Sequence, residues 1–427
     1  MSDLPNFGGD MFKNMMNDIM RLMPSGGGMQ WGVAYQLASQ IAAGETGSEP
    51  NPDPLERIRF EELSNVAQLH VSEVIGMSVS PAGENVKLLP ASRGDWAKRI
   101  LDTWLPVLER LTAAAAPESA QADSDDSAGP DPAPAQPSSL DPFSGRDEDG
   151  GEGDAMMEVF GRFFTAMAPT MTAMQAGSVA GHLAERAIGQ YDVPLAPVAS
   201  SELLVVTANL DAVAEDWSLP IDGLRLWLCA HEMACHAVLS RPGIATRIAD
   251  LVVAHARLAQ PDPASVQQLM SEADPSDPMA LSRVLSDPGN YAAGALSGKL
   301  GRIRGDLDAI TAAVSGYVEH VTGIISERAI GNYAPIGEAM RRRRVSRGEG
   351  EKVAEALFGL SLDQGQIDRG ERFVAGVVQR GGEVQLTKMW SDPRWLPTPT
   401  EIEAPGLWLA RVELPGEPGG EPAESQP

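Results

Sequence analysis

Residues 224–240 read LRLWLCAHEMACHAVLS, and this stretch decides how the rest of the chain is understood. An apolar helix with His231 and Glu232 at its centre invites comparison with H-E-x-x-H, where two histidines one turn apart hold zinc and the glutamate is the general base. An α-helix turns about 100° per residue, so positions four apart share a face. The residue four after His231 is Cys235, and the next histidine, His236, comes one later. His231 and His236 therefore stand roughly 140° apart around the axis, and both would reach one metal only if the helix were distorted. Cys235 can itself be a ligand, since thiolate binds zinc well. The same residues also fit a core stripe of Leu224, Trp227, Leu228, His231, Cys235 and Val238, with cysteine packing as a small hydrophobe.

Outward from this helix the chain is long enough for one large domain or several ordinary ones. Its 427 residues carry 33 basic and 59 acidic side chains, for a net charge of −26. That balance argues against a nucleic-acid partner or an anionic membrane surface. No segment reaches the eighteen or so uninterrupted apolar residues of a membrane span. The start, MSDLPNFGGDMFKNMMNDIMRLMP, lacks the basic opening and apolar run of a secretory signal, so a cytoplasmic location is expected. Cys229 and Cys235, six apart on one helix, are too far around it to pair.

Helical periodicity accounts for most of the remaining chain. A methionine stripe runs from Asp10 to Met23, followed by helices at Trp31–Ala43 and from Pro54, where Phe60, Leu63, Val66, Leu69, Val71 and Val74 are expected on the buried side. Trp96–Thr112 is a further amphipathic helix. From Pro117 to Asp154 the composition turns to Pro, Ser, Ala, Gly and acid, which predicts a disordered insertion. Met156–Ala176 is expected to be buried helix, continued by the small-residue run Gly177–Gln190. His182 in that run is a second source of a ligand or, more simply, a core histidine. Leu203–Val206 is the one β-branched run that suggests a strand. Helices follow at Ile244–Leu258, Ser265–Val284, Leu307–Ser326, Val353–Leu360 and Asp368–Arg380, and the residues after Pro415 predict an acidic disordered tail. The basic run Arg341–Arg344 is expected on a solvated helix face or as an intramolecular partner for acids.

The fold class expected is mainly α, a single large helical domain with few short strands, near Leu203 and the C-terminus. Its parts are an N-terminal helical portion (1–116), the acidic insertion (117–154), a helical core (155–414) and the tail (415–427).

Four stretches carry a resemblance to a known family: NPDPLERIRFEELSNVAQLHVSEVIGM (51–77), GSVAGHLAERAIGQYDVPL (177–195), DWSLPIDGLRLWLCAHE (216–232), and GYVEHV with the later RRRR (316–344). The chain resembles the zincin-like metallopeptidases typical of actinobacteria, often described only as candidate hydrolases or as a domain of unknown function. That resemblance implies a zincin-like helical domain and a zinc cofactor. His231 then matches the first ligand and Glu232 the general base, while Cys235 stands at the second ligand position and His236 at an extra histidine. The third ligand is expected to be a glutamate in an E-G-x-x-D/E-H pattern on a later helix, which here reads Ser315-Gly316-Tyr317-Val318-Glu319-His320. Glu319 matches the carboxylate that orients the first histidine, and is also the residue placed to substitute for the missing ligand.

Two of three ligand positions are thus altered, and serine and thiolate make a poor catalytic zinc site. The resemblance with these changes implies a degenerate member, a pseudo-peptidase acting as a binding or scaffold protein toward a protein or peptide partner. The alternative is an active zinc-dependent peptidase in which His231, Cys235 and Glu319 hold the metal and Glu232 is the base. A third, metal-free option uses Cys235 as nucleophile with His231 or His236 as base.

Overall fold

The computed structural model describes residues 27–44, 49, 51–115, 170, 172–192, 200–259, 294–346, 348 and 363–413. Helix α1 covers Gly27–Ala42 and α2 covers Pro54–Ile75. The start of α2 is written in its sequence: the Asp53 carboxylate accepts from the Leu55 N–H, Pro54 needs no donor in the first turn, and Gly76 at φ 66° ends the helix left-handed. Strand β1 (Lys87–Ala91) and helix α3 (Arg93–Ala115) follow, then helix α4 over residues 172–184. Strand β2 (Glu202–Val206) leads directly into α5 (Thr207–Asp216) and α6 (Ile221–Leu239). Beyond it lie α7 (Pro242–Ala259), the 36-residue α8 (Gly294–Ala329) and α9 (Ala334–Val345). The chain closes with α10 (Gln364–Gly381), α11 (Val384–Met389), a 3₁₀ turn at Pro393–Trp395, α12 (Pro399–Glu403) and α13 (Pro405–Glu413).

α6 sits at the centre, packed on α2, α5, α7, α8 and α9. From Trp227 to Leu239 every residue except His231 is buried, which is what an apolar helix without a polar face requires. Each large side chain so placed, such as Leu224, Trp227 or Leu228, contributes about 1.5–3 kcal/mol relative to exposure. α8 lies across α6 and runs along α10 at backbone contact distance. α4 approaches α1 in the same way, because a Cβ on Gly177 would stand 2.6 Å from the Ala34 carbonyl oxygen and one on Gly181 2.7 Å from Ile41 Cβ. The small-residue run 177–190 does therefore serve close helix packing.

The two strands form a parallel pair, in register from Lys87 opposite Glu202 to Ala91 opposite Val206. Mainly helical architecture with few short strands is as expected, but the second strand differs in place. It is β1, far from the C-terminus, and the described residues 363–413 contain no strand. Two further expectations are corrected. On α2 the buried residues are Glu56, Phe60, Ser64, Ala67, Val71 and Ile75, while Val66 and Leu69 are exposed. The helix expected to run through Gln190 stops at residue 184, and 187–190 cross the core as non-helical chain. The methionine stripe 10–23, the insertion 117–154, residues 156–169 of the helix expected at 156–176, the segments 265–284 and 353–360 and the tail from 415 fall outside the described residues, as do the boundaries drawn between parts. Among the described residues no helix is long and apolar enough to cross a membrane.

Candidate functional site

Helical spacing on α6 stacks Trp227, His231 and Cys235 as a column one turn apart. The Trp227 and His231 rings lie 5.0 Å apart at 23°, and Cys235 Sγ is 4.0 Å from His231 Nδ1. The His231 side chain is 12 % exposed. Glu232 is fully buried, with Oε1 3.4 Å from His231 Nδ1 and Oε2 accepting the Tyr191 N–H at 2.9 Å.

The non-helical segment after α4 presses onto that carboxylate. Gly189 leaves no room for a side chain, since a Cβ there would come within 3.0 Å of Glu232 Oε2 and nearer still to its other carboxyl atoms. The segment is fixed from three directions: Trp96 Nε1 donates to the Gly189 carbonyl at 2.8 Å, the Val206 N–H to the Ile188 carbonyl at 3.1 Å, and the Leu204 N–H to Gln190 Oε1 at 3.3 Å. Burial raises the Glu232 carboxyl above its ordinary value, opposed by His231 and by the Tyr191 N–H.

His236 faces elsewhere. Its Nδ1 is 2.8 Å from the Tyr191 hydroxyl, and burial lowers its pKa to about 4. An undistorted α6 thus keeps His236 apart from the His231–Cys235 face. His182 is exposed, 3.7 Å from Glu185, and belongs neither to the core nor to this site.

α8 contributes Ser315, half-buried, and Glu319 one turn later. α9 contributes the arginines. Arg341 and Arg342 are exposed and pair with Glu338, whereas the next two turn inward. Arg343 reaches Asp192 Oδ2 at 3.1 Å, and Arg344 forms an ion pair with Glu319. The Arg344 guanidinium also lies over the Trp227 ring, 5.9 Å from its centre. Burial pushes the Glu319 carboxyl up, but Arg344, with help from His231, outweighs it and holds the group below its usual value. Burial and Glu232 together place the Cys235 thiol well above its ordinary value, against a smaller opposing pull from Arg344.

These residues do not fit a zinc ion. Glu319 is engaged by Arg344, and Ser315 offers a weak neutral oxygen. Among the described residues no three His, Cys, Asp or Glu side chains converge as a metal would need.

The same facts bear on cysteine chemistry. Cys235 is 5 % exposed and protonated, so iodoacetamide at neutral pH is expected to leave it unmodified in native protein and to alkylate it after unfolding. Mass spectrometry reads the result, and rapid native labelling at Cys235 would contradict the burial described.

Sequence reading singled out His231, Glu232, Cys235 and Glu319, and took the arginine run as either a solvated helix face or a partner for acids. It missed Gly189 and Tyr191, which hold Glu232, and did not single out Arg344. The available signal for the first two was the sequence GQYD beside Pro194, where a helix must stop.

The sequence profile of the zincin-like metallopeptidases matches residues 29–409. No curated protein matches the chain. Among solved structures, the chain is similar to a protein from Chloroflexus aurantiacus described as a candidate hydrolase with a novel fold. The TM-score is 0.59 and the identity 19 %, over 90 % of this chain and 99 % of that one. At that identity the likeness speaks for the fold, while the profile spans nearly the whole of the described core; the chain belongs to the zincin-like metallopeptidase family.

Proposed function

We propose that this chain is a non-hydrolytic member of its family, a pseudo-peptidase that keeps the helical fold as a binding or scaffold protein in the cytoplasm. The observation that carries this reading is the state of the α8 carboxylate: Glu319 is neutralised by Arg344, and the position one turn before it is Ser315. On a separate helix, the second ligand position holds Cys235 in place of the histidine that the family resemblance implies. Glu232 supports the same conclusion, since both its oxygens have protein partners and none of its surface is open to a water it would activate. Its partner is a protein or peptide, in keeping with a chain whose net charge of −26 repels polyanions.

The competing reading, an active zinc peptidase with Glu232 as base, draws on the retained His231–Glu232 pair. One substitution separates the two. Glu232→Gln preserves the acceptor for the Tyr191 N–H and is expected to leave the cellular role intact, measured by complementation of a deletion with protein shown to be folded. A folded variant with the phenotype of the deletion would overturn the proposal.

A further inference from the structure

We infer that the outward face of α2 is a self-association surface, on which Leu55, Ile58, Val66 and Leu69 meet the same residues of a second, antiparallel copy of the chain. The inference stands apart from the chemistry of the His231 centre. These four side chains are 56, 56, 45 and 69 % exposed. At about 100° per residue they fall within an arc of about 80°, opposite the buried row Glu56, Phe60, Ser64, Ala67, Val71 and Ile75. α2 is therefore apolar on the side away from the core, in a ridge about 21 Å long that only Glu62 interrupts. Apolar residues scattered singly over a surface need no explanation, but a row along one helix face marks a contact.

The order of the row names the occupant. Leu55, Ile58, Glu62, Val66 and Leu69 are separated by three, four, four and three residues, so the row reads the same in both directions from Glu62. A two-fold axis through Glu62 sets Leu55 opposite Leu69 and Ile58 opposite Val66 of the second copy, and fills both halves of the contact at once. An unrelated partner imposes no such symmetry. The charges bordering the row are compensated within one copy, Glu61 by Lys87 at 3.6 Å and Arg59 by Glu56 at 2.6 Å. That suits a chain of net charge −26, whose copies repel at long range and need an apolar contact to associate. Glu62 is the exception, since two carboxylates meet at the axis. Their cost fixes the register, because sliding one copy by a turn would set Glu62 against Ile58 or Val66.

The test uses the full chain. Sedimentation velocity across a concentration series is expected to show a monomer–dimer equilibrium. Ile58→Glu removes one buried aliphatic side chain from each copy and is expected to weaken the dimer roughly 100-fold. Leu407→Glu, at a leucine likewise exposed but on α13, is expected to change nothing. Glu62→Gln removes the like charges at the axis and is expected to tighten the dimer about tenfold. All three are surface substitutions, so circular dichroism and urea midpoints should match wild type.

Cross-linking reads the orientation. Glu62→Cys lies on the axis, within disulfide reach of its counterpart, and is expected to join the copies under mild oxidation, while the native Cys229 and Cys235 are buried. Glu73→Cys shares the face, but its two copies stand about 33 Å apart in the antiparallel pair and should not join. Cross-linking at both positions means parallel pairing and overturns the inference, as does a dimer that cross-links at neither. A wild type that stays monomeric up to ~100 µM overturns it outright. So does a dimer indifferent to Ile58→Glu, which must use another face.

Discussion

Replacing Gly370 by alanine is expected to destabilise the protein by about 3 kcal/mol, the upper end of the usual cost of forcing a methyl group into a filled core. α10 and α8 meet backbone to backbone at this point. A Cβ on Gly370 would stand 2.7 Å from the Ala312 carbonyl carbon and 2.9 Å from the Gly316 nitrogen, and one on Gly316 2.7 Å from the Glu371 nitrogen. None of these atoms can turn aside as a flexible side chain would, so the helices must part. α10 seats Phe373, Val374 and Val377 in the core, and α8 carries Glu319 less than one turn beyond Gly316, so the displacement reaches both packing and site. Gly323→Ala provides the contrast on the same helix. Nothing lies within 4 Å of a Cβ there, and helix propensity alone predicts a gain of up to about 1 kcal/mol. Urea unfolding of the two variants beside wild type measures both effects. An unchanged midpoint for Gly370→Ala would mean that the helices are not in the contact described.

How far the sequence alone discloses this fold depends on which physical term dominates locally. α6 and the part of α8 from Leu307 to Ser326 are legible because their apolar residues recur at helical spacing over many turns, and extensive burial reinforces the pattern; the half-exposed turns at 298–306 that precede it lack that signal. α2 is legible as a helix but misleading about its face. Glu56 is buried because Arg225 reaches it at 2.8 Å, and Ser64 because its hydroxyl accepts the Leu88 N–H at 3.0 Å. Those partners lie 169 and 24 residues away, so the pairing that turns polar residues inward, and leaves Leu55, Ile58 and Leu69 exposed, is not encoded in the helix itself. β1 escapes for a related reason. KLLPA is short, contains Pro90 and alternates poorly, and becomes a strand through its pairing with β2.

The site divides in the same manner. His231, Glu232 and Cys235 follow from spacing on one helix, which geometry fixes. Which two of the four arginines turn inward does not follow, because Arg341 to Arg344 are chemically identical and only the docking of α9 on α6 distinguishes them. Gly189 and Tyr191 are hard to read for the opposite reason: their contacts with Glu232 require the chain to leave the helix after residue 184, whereas the small residues there also suit its continuation.

Mild acid is expected to weaken the protein through His236. In the fold its pKa is lowered by burial to about 4, against an ordinary value of 6.5. The Tyr191 hydroxyl, 2.8 Å from Nδ1, serves the neutral ring, and among the described residues no carboxylate is hydrogen-bonded to the imidazole to stabilise its charged form. A depressed histidine contributes stability that is fully present above the unfolded value. As pH falls below 6.5 the unfolded chain takes up a proton that the folded chain refuses, and the loss continues until the folded group titrates near 4. The gap corresponds to about 3 kcal/mol. Glu232 acts with the opposite sign: its raised carboxyl favours the fold where it is protonated and ceases to do so as pH rises through its folded value. A single wild-type curve therefore mixes the two, together with His255, which is also lowered by burial. The difference between wild type and His236→Gln isolates the term, because glutamine retains a polar group for the Tyr191 hydroxyl and does not titrate. Urea midpoints at intervals from pH 7 to pH 4 should show the wild type losing ground steadily to the variant, and curves that stay parallel across that window would mean that His236 takes up its proton as readily in the fold as outside it.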